Sequence, residues 1–314
     1  MAELLANERA RGQERPVLAL FCEFPSNPLL RSPNLLELKK LADEYDFIIV
    51  VDETVGSFAN VEVLPFADIV VSSLSKIFSG EVNVMGGRLG QITHQIRSAS
   101  HLDFYSLVLN PLGKHYSNLY EVLTSTYEDN YWIEDAIYME RNSRDLQPRV
   151  DKINRNTEFV CELLRSNSLK ARQMTMGTRA RSSPPVIKEV FYPKWVTPEN
   201  YEACRIGSTM PMTRTERQMG GWGGLFSVTF TSDAASEAFF DALSCDKGPS
   251  LGTNFTLACP YTILAHYTEL DWAASYGVEK GLVRVSIGLE EREELETMFL
   301  GALEAAEKAV RTTV

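Results

Sequence analysis

No two cysteines in this chain stand close enough in sequence to form a metal clip or a redox pair. The five present, Cys22, Cys161, Cys204, Cys245 and Cys259, are scattered along 314 residues, which gives neither a zinc site nor a disulfide framework. An odd number of isolated thiols suits a reducing compartment, so a cytoplasmic location is expected. Long apolar runs are missing as well. The longest early one, Val17 to Cys22, stops at Glu23, short of both a signal-peptide core and a membrane span. Positive charge is in deficit: 31 lysines and arginines face 42 acids, for a formal charge of −11. That balance argues against nucleic acid or an anionic membrane as partner and leaves small molecules and proteins. Histidine is scarce, with four in all. His94 and His101 fall in a stretch without periodicity and read as solvated loop residues, so no metal is expected. There is no internal repeat, and the acceptor pattern Asn254-Phe255-Thr256 reads as chance without a secretion signal.

What the chain does have is 44% hydrophobic residues, enough for one large or two moderate packed domains. Its most informative stretch is Phe47 to Gly87. Two β-branched apolar runs, Phe47 to Val51 and Ile69 to Val71, lack polar alternation, as strands buried on both faces of a parallel sheet do. Each run ends in groups able to do chemistry: Asp52 after the first, and Ser73, Ser75 and Lys76 after the second. Ligands of α/β sheets collect at the carboxyl ends of the strands, which makes these residues a candidate site.

Upstream, Val17 to Phe24 predicts another strand, closed by Pro25-Ser26-Asn27-Pro28. From Asn34 onward, Leu35, Leu38, Leu41, Ala42 and Tyr45 recur at helical spacing, with Lys39, Lys40, Asp43 and Glu44 on the other side. Strand, helix and strand make a βαβ unit whose crossover places Asn27 and Asp52 at one sheet edge. Residues 1 to 15 show no pattern. Ser106 to Leu109 reads as a strand. Leu146, Val150, Ile153, Thr157, Val160 and Leu164 mark a long helix, with Pro148 as the place for a kink or break. This helix is the expected connector between a domain of residues 1–145 and one of residues 146–314. The second domain alternates strands Val186 to Tyr192, Leu225 to Phe230 and Leu282 to Ile287 with helices Ala234 to Leu243 and Glu291 to Val310, a small α+β pattern. Arg88 to Tyr105, Leu169 to Pro185 and Ile206 to Gln218 lack a period and read as loops.

A lysine that closes an apolar strand between hydroxyls and glycines suits Schiff-base chemistry, because burial favours a neutral or covalently engaged amine. In that reading Lys76 condenses with the aldehyde of pyridoxal 5'-phosphate (PLP), and Asp52 faces the pyridine nitrogen and keeps it protonated. Ser73 and Ser75, alternating along the strand, would both donate to the phosphate. Taken singly, each residue has a plainer reading: a strand-end aspartate forms turns, a lysine is solvated, and a serine pair is incidental.

The segments stand in a recognisable order. Glu23-Phe24-Pro25-Ser26-Asn27-Pro28 is similar to a Glu-x-Pro-x-Asn-Pro turn, and Val51-Asp52-Glu53-Thr54 matches an Asp-Asn-Thr segment except at Glu53. Ala67-Asp68-Ile69-Val70-Val71-Ser72-Ser73-Leu74-Ser75-Lys76, followed by Met85-Gly86-Gly87, is similar to a lysine signature. Gly281-Leu282-Val283-Arg284-Val285-Ser286-Ile287-Gly288-Leu289-Glu290 and Ser250-Leu251-Gly252, which departs from the pattern at Thr253-Asn254, complete the set. On these segments, residues 17 to 87 and 225 to 310 resemble the Cys/Met-metabolism family of PLP enzymes, which includes cystathionine γ-synthase, cystathionine lyases and methionine γ-lyase. Asp129-Asn130-Tyr131-Trp132 and Ala265-His266-Tyr267-Thr268-Glu269-Leu270-Asp271-Trp272 are most similar to its fungal cystathionine γ-synthase branch.

The resemblance implies the α/β PLP-dependent transferase fold type I, with an incomplete large domain and a small C-terminal α+β domain. It implies PLP held by Asn27, Asp52, Ser73, Ser75 and Lys76, with Lys76 catalytic and Asn27 beside the ring hydroxyl. Ser250 and Arg284 would meet the substrate α-carboxylate, a task suited to a bidentate guanidinium. Small amino-acid substrates follow, with cysteine replacing the γ-substituent of an O-activated homoserine in trans-sulfuration. The alternatives are a cystathionine or methionine lyase and a non-catalytic paralogue that acts as an interaction partner. The family's phosphate loop, stacking tyrosine and Tyr-x-Arg pair precede the Glu-x-Pro turn and have no counterpart in this sequence. Weak cofactor binding and slow turnover are therefore expected of this polypeptide alone, and a homo-oligomer of the complete chain. The three unpatterned segments interrupt the resemblance and read as insertions or gene-model errors.

Overall fold

The two apolar runs of the central stretch fold as neighbouring strands of one sheet. The computed structural model describes residues 1–12, 17–85, 107–129, 131–169, 185–208 and 219–312, so most of the three unpatterned segments lie outside the described residues. The chain forms two compact units. One comprises Met1–Ser26, Arg31–Leu146 and Thr197–Gly220, and the other Asn27–Leu30, Gln147–Val196 and Gly221–Val314.

In the first unit β1 (Ala19–Glu23), β2 (Ile48–Asp52), β3 (Ile69–Val71) and β4 (Leu107–Leu109) lie side by side in that order. The first three are parallel, with Glu23 opposite Asp52 and Asp52 opposite Val71, while β4 runs antiparallel to β3. Between β1 and β2 runs α2 (Leu35–Tyr45), started by Asn34, whose side chain accepts from the Glu37 N–H, and ended at Asp46 in left-handed conformation. It buries Leu35, Ala42 and Tyr45 and turns its charged residues outward. The unpatterned N-terminus also forms a helix, α1 (Ala2–Ala10). Leu5 is buried there, and the Arg9 guanidinium lies 4.3 Å from the Tyr45 ring centroid. Two buried side chains lock the sheet. Asp68 accepts from the Ile49 N–H at 2.9 Å, and the Asn110 amide donates to the carbonyls of Leu64 and Ala67. Helices α3 (Tyr116–Ser125) and α4 (Ile133–Ser143) follow β4.

The second unit holds α5 (Leu146–Ser166) and a sheet ordered β5 (Ile187–Phe191), β6 (Leu225–Phe230), β9 (Val283–Ser286), β8 (Leu257–Cys259) and β7 (Asp246–Lys247). Pro148 sits in the first turn of α5, where its missing N–H has no intrahelical acceptor to lose, so the helix runs on through it. The sheet is antiparallel except for the β7–β8 pair. Every residue of β6, β8 and β9 is buried. Helices α7 (Asp233–Ala242) and α10 (Arg292–Thr312) supply the cover, through an aromatic cluster in which Phe239 stands 4.9 Å from Phe230 and 6.4 Å from Phe299. Short α6 (Pro198–Glu202) belongs to the first unit, and α8 (Tyr261–Ala265) and α9 (Leu270–Ser275) to the second. Among the described residues no helix is long and apolar enough to cross a membrane.

Candidate functional site

Parallel pairing of β2 with β3 brings Asp52 beside the chain that leads to the lysine. The Thr54 N–H donates to Asp52 Oδ1 at 2.8 Å, and the Ser73 N–H donates to Thr54 Oγ1 at 2.8 Å. One threonine thus ties the acid-bearing turn to the lysine-bearing turn. β3 ends at Val71, and Leu74–Phe78 forms a wide five-residue helical turn. Ser73 and Ser75 therefore sit in and before that turn rather than alternating along a strand. The turn arises because Leu74, Ile77 and Phe78 are all drawn into the core, which helical spacing permits and an extended strand does not. Lys76 departs from the helical backbone at φ −90 and ψ −128. Its carbonyl accepts from the Gly80 N–H at 2.8 Å. Asp52, Ser73, Ser75 and Lys76 are each half-buried, flanked by the buried Val51, Leu74 and Ile77. The segment after the lysine is braced by α4: the Asn142 amide donates to Ser79 Oγ and Asn83 Oδ1, both at 2.8 Å, and the Tyr131 hydroxyl donates to the Met85 carbonyl.

Glu53 was not singled out by sequence reasoning as a functional group. It is 5% exposed, and burial together with the neighbouring Asp52 charge pushes its carboxyl up to about 8. Its sequence signal is an acid where the motif carries an amide, at the end of a strand with no polar alternation.

Asn27, Ser250 and Arg284 come together in the second unit. Arg284 on β9 is flanked by Ser227 of β6 and Cys259 of β8 and is 3% exposed. Its Nη1 donates to Asn27 Oδ1 at 3.1 Å, and its Nη2 donates to the carbonyls of Pro249 at 2.5 Å and Ser250 at 2.9 Å. Burial pulls the guanidinium below the usual arginine range. The loop that carries Ser250 is pinned by the Gly252 N–H donating to Ser286 Oγ at 2.8 Å, with Gly252 at φ 72. Among the described residues, no carboxylate pairs with Arg284, so a buried cation faces only neutral oxygens.

The groups of the first unit fit PLP: an amine for the aldehyde, a carboxylate to accept from the protonated ring nitrogen, and hydroxyls to donate to the phosphate, all on segments that follow the carboxyl ends of parallel strands. The fold is that of PLP-dependent fold type I enzymes. It superposes on the cystathionine gamma synthase of Xanthomonas oryzae pv. oryzae with a TM-score of 0.70 and 24% identity, over 98% of this chain and 67% of that one. The chain belongs to the Cys/Met metabolism PLP-dependent enzymes, whose sequence profile matches residues 6–304. The cystathionine gamma-synthase-like enzyme iboG1 of Amanita muscaria is 54% identical over 312 residues, which span 98% of this chain and 47% of that protein. The cystathionine gamma-synthase of Neurospora crassa is 46% identical over 292 residues, 93% of this chain and 40% of that protein. The chain thus spans less than half the length of these relatives.

Proposed function

We propose that this chain carries part of a PLP-dependent site for exchange at the γ-carbon of an amino acid, with cysteine sulfur replacing the substituent of an O-activated homoserine to give cystathionine. The observation that supports the reading is the joining of the Asp52-bearing turn, through Thr54, to the segment that leads into the Lys76 turn. When bound, PLP supplies an electron sink for negative charge developing on the substrate carbon. Asp52 would hold a proton on the ring nitrogen, and Ser73 and Ser75 would donate to phosphate oxygens. Lys76 Nζ would be the group that holds the aldehyde and, once released from it, would take a proton from the substrate α-carbon and later one from the β-carbon, so that the γ-substituent can leave. The second unit, taken by itself, holds Arg284, a cation suited to the carboxylate of an α-amino acid. Among the described residues its acceptors are the Asn27 amide oxygen and two backbone carbonyls, none of them charged.

Adding pyridoxal phosphate to the purified wild type should give a visible absorbance band that Lys76→Ala lacks, and borohydride should trap the cofactor on Lys76 in peptide mass spectra. O-acylhomoserine with cysteine should then yield cystathionine; an oxo acid instead would assign elimination. An identical band in Lys76→Ala overturns the reading. No adduct even beside a full-length relative favours the second reading, a non-catalytic binding role.

A further inference from the structure

Among the described residues Arg284 has no ionic partner, but one face of its guanidinium is covered. Its Cζ lies 5.0 Å from the centroid of the Tyr261 ring, a contact that no sequence motif marked. The placement follows from the chain path: β8 ends at Cys259, opposite Arg284 in register, and after Pro260 the tyrosine opens α8. Behind Tyr261 stands His266 at 5.8 Å between ring centroids, with its Nδ1 2.7 Å from Glu269 Oε1. Trp272 stands 6.1 Å from His266, and Tyr276 5.1 Å from Trp272. A ladder of rings thus runs from the buried arginine to the surface, where Trp272 and Tyr276 are exposed.

Two kinds of group can stabilise a buried guanidinium. A carboxylate does so through the in-plane N–H donors and neutralises the charge, so it competes with any incoming anion. An aromatic face does so from above the plane by its quadrupole. It leaves the donors and the net charge in place. The Asn27 oxygen and the two carbonyls hold the guanidinium through its in-plane donors, and the Tyr261 ring adds a restraint perpendicular to that plane.

We infer that Tyr261 is a positioning residue for Arg284, its ring face holding the guanidinium plane so that the charge stays available to the carboxylate of an α-amino acid. This rests on the reading of Arg284 as carboxylate anchor. His266, buttressed by Glu269, keeps the ring from swinging outward.

The test measures binding of L-2-aminobutyrate, which has no leaving group, by saturation-transfer NMR on the chain as purified, with butylamine as the carboxylate-free control. Wild type should bind the amino acid and not the amine, and Arg284→Ala should bind neither. Tyr261→Phe keeps the face and should stay within about twofold of wild type, whereas Tyr261→Met and Tyr261→Leu keep bulk without a face and should weaken binding about tenfold. Thermal melts identify which of the two face-less variants is folded, and either one decides. A folded Met or Leu variant with wild-type affinity, beside an Arg284→Ala that has lost binding, overturns the role of Tyr261 and leaves the anchor standing. Wild-type affinity in Arg284→Ala, or no carboxylate-dependent binding by wild type, overturns the anchor and this inference together.

Discussion

The inner strands of the five-stranded sheet are buried along their whole length, whereas β1 of the four-stranded sheet leaves Phe21 75% exposed, as is Leu18 just before it. Parallel strands ordinarily need cover on both faces. In the second unit, antiparallel strands, α7 and α10 supply a continuous core that includes Val160, Leu164, Phe226, Phe239, Val285 and Phe299. In the first, β1 buries neither end of its pattern, and among the described residues no strand pairs with its outer edge. The difference separates two tasks. The second unit is built around packing, with its charged Arg284 set into that packing. The first is built around an edge, where half-buried polar groups stand beside a buried acid. If this contrast is right, substitutions of similar size should cost very different amounts in the two sheets.

The largest effect is expected at Phe239, which is fully buried between two other phenylalanines. Phe239→Ala should lower the unfolding free energy by about 3–5 kcal/mol, read from urea denaturation. A loss under about 1 kcal/mol would mean that the second unit is not the better packed of the two.

Next comes Glu53, where the first unit stores an electrostatic cost. The folded carboxyl titrates at about 8, against an ordinary value of 4.5. Between those values the folded state keeps a proton that the unfolded chain releases, so this contribution to stability is complete below about pH 4.5 and lost as pH rises through 8. Glu53→Gln removes the titration. Its stability should match the wild type near pH 5 and exceed it near pH 8 by a few kcal/mol, as an order of magnitude. Parallel stability curves for the two proteins across that range would show that the Glu53 carboxyl is hydrated, and the first unit looser than its buried acid implies.

A smaller loss is expected where the first sheet is locked by a side chain. Asp68→Ala leaves the buried Ile49 N–H without its acceptor and should cost about 1–3 kcal/mol by the same denaturation measurement.

Much of this was legible in the sequence, for definite reasons. Strands β3 and β6 coincide with the runs Ile69 to Val71 and Leu225 to Phe230, the first wholly apolar and the second apolar apart from its buried Ser227 and Thr229. Helices α2, α5 and α10 follow their periodic stripes. The strand-end position of Asp52 was legible too, since it closes an apolar run, whereas Lys76 lies in the helical turn beyond β3. Other parts depend on partners distant in sequence. α1 has one buried residue, Leu5, and its cation–ring contact with Tyr45 could not be read from its own stretch. β8 is three residues whose assignment requires β9. The turn that carries Ser73 and Ser75 was read as strand because Leu74, Ile77 and Phe78 continue the apolar character while changing its period. Glu53 and Tyr261 owe their roles to burial and to a neighbouring charge, and no residue spacing encodes either.

The smallest effect is expected at Phe21, and it bears most directly on the contrast between the sheets. Phe21 and the buried Phe226 are chemically identical and both lie on strands, so only their surroundings distinguish them. Removing a side chain that is already mostly in water forfeits little transfer free energy and leaves no cavity. Phe21→Lys should therefore change the unfolding free energy by no more than about 0.5 kcal/mol. It should also slow self-association, because a charge on an edge strand opposes edge-to-edge pairing, and light scattering at rising concentration would read that. A loss in the range expected for Phe239→Ala would mean that β1 is covered in solution, and the two sheets would then differ in partner rather than in packing.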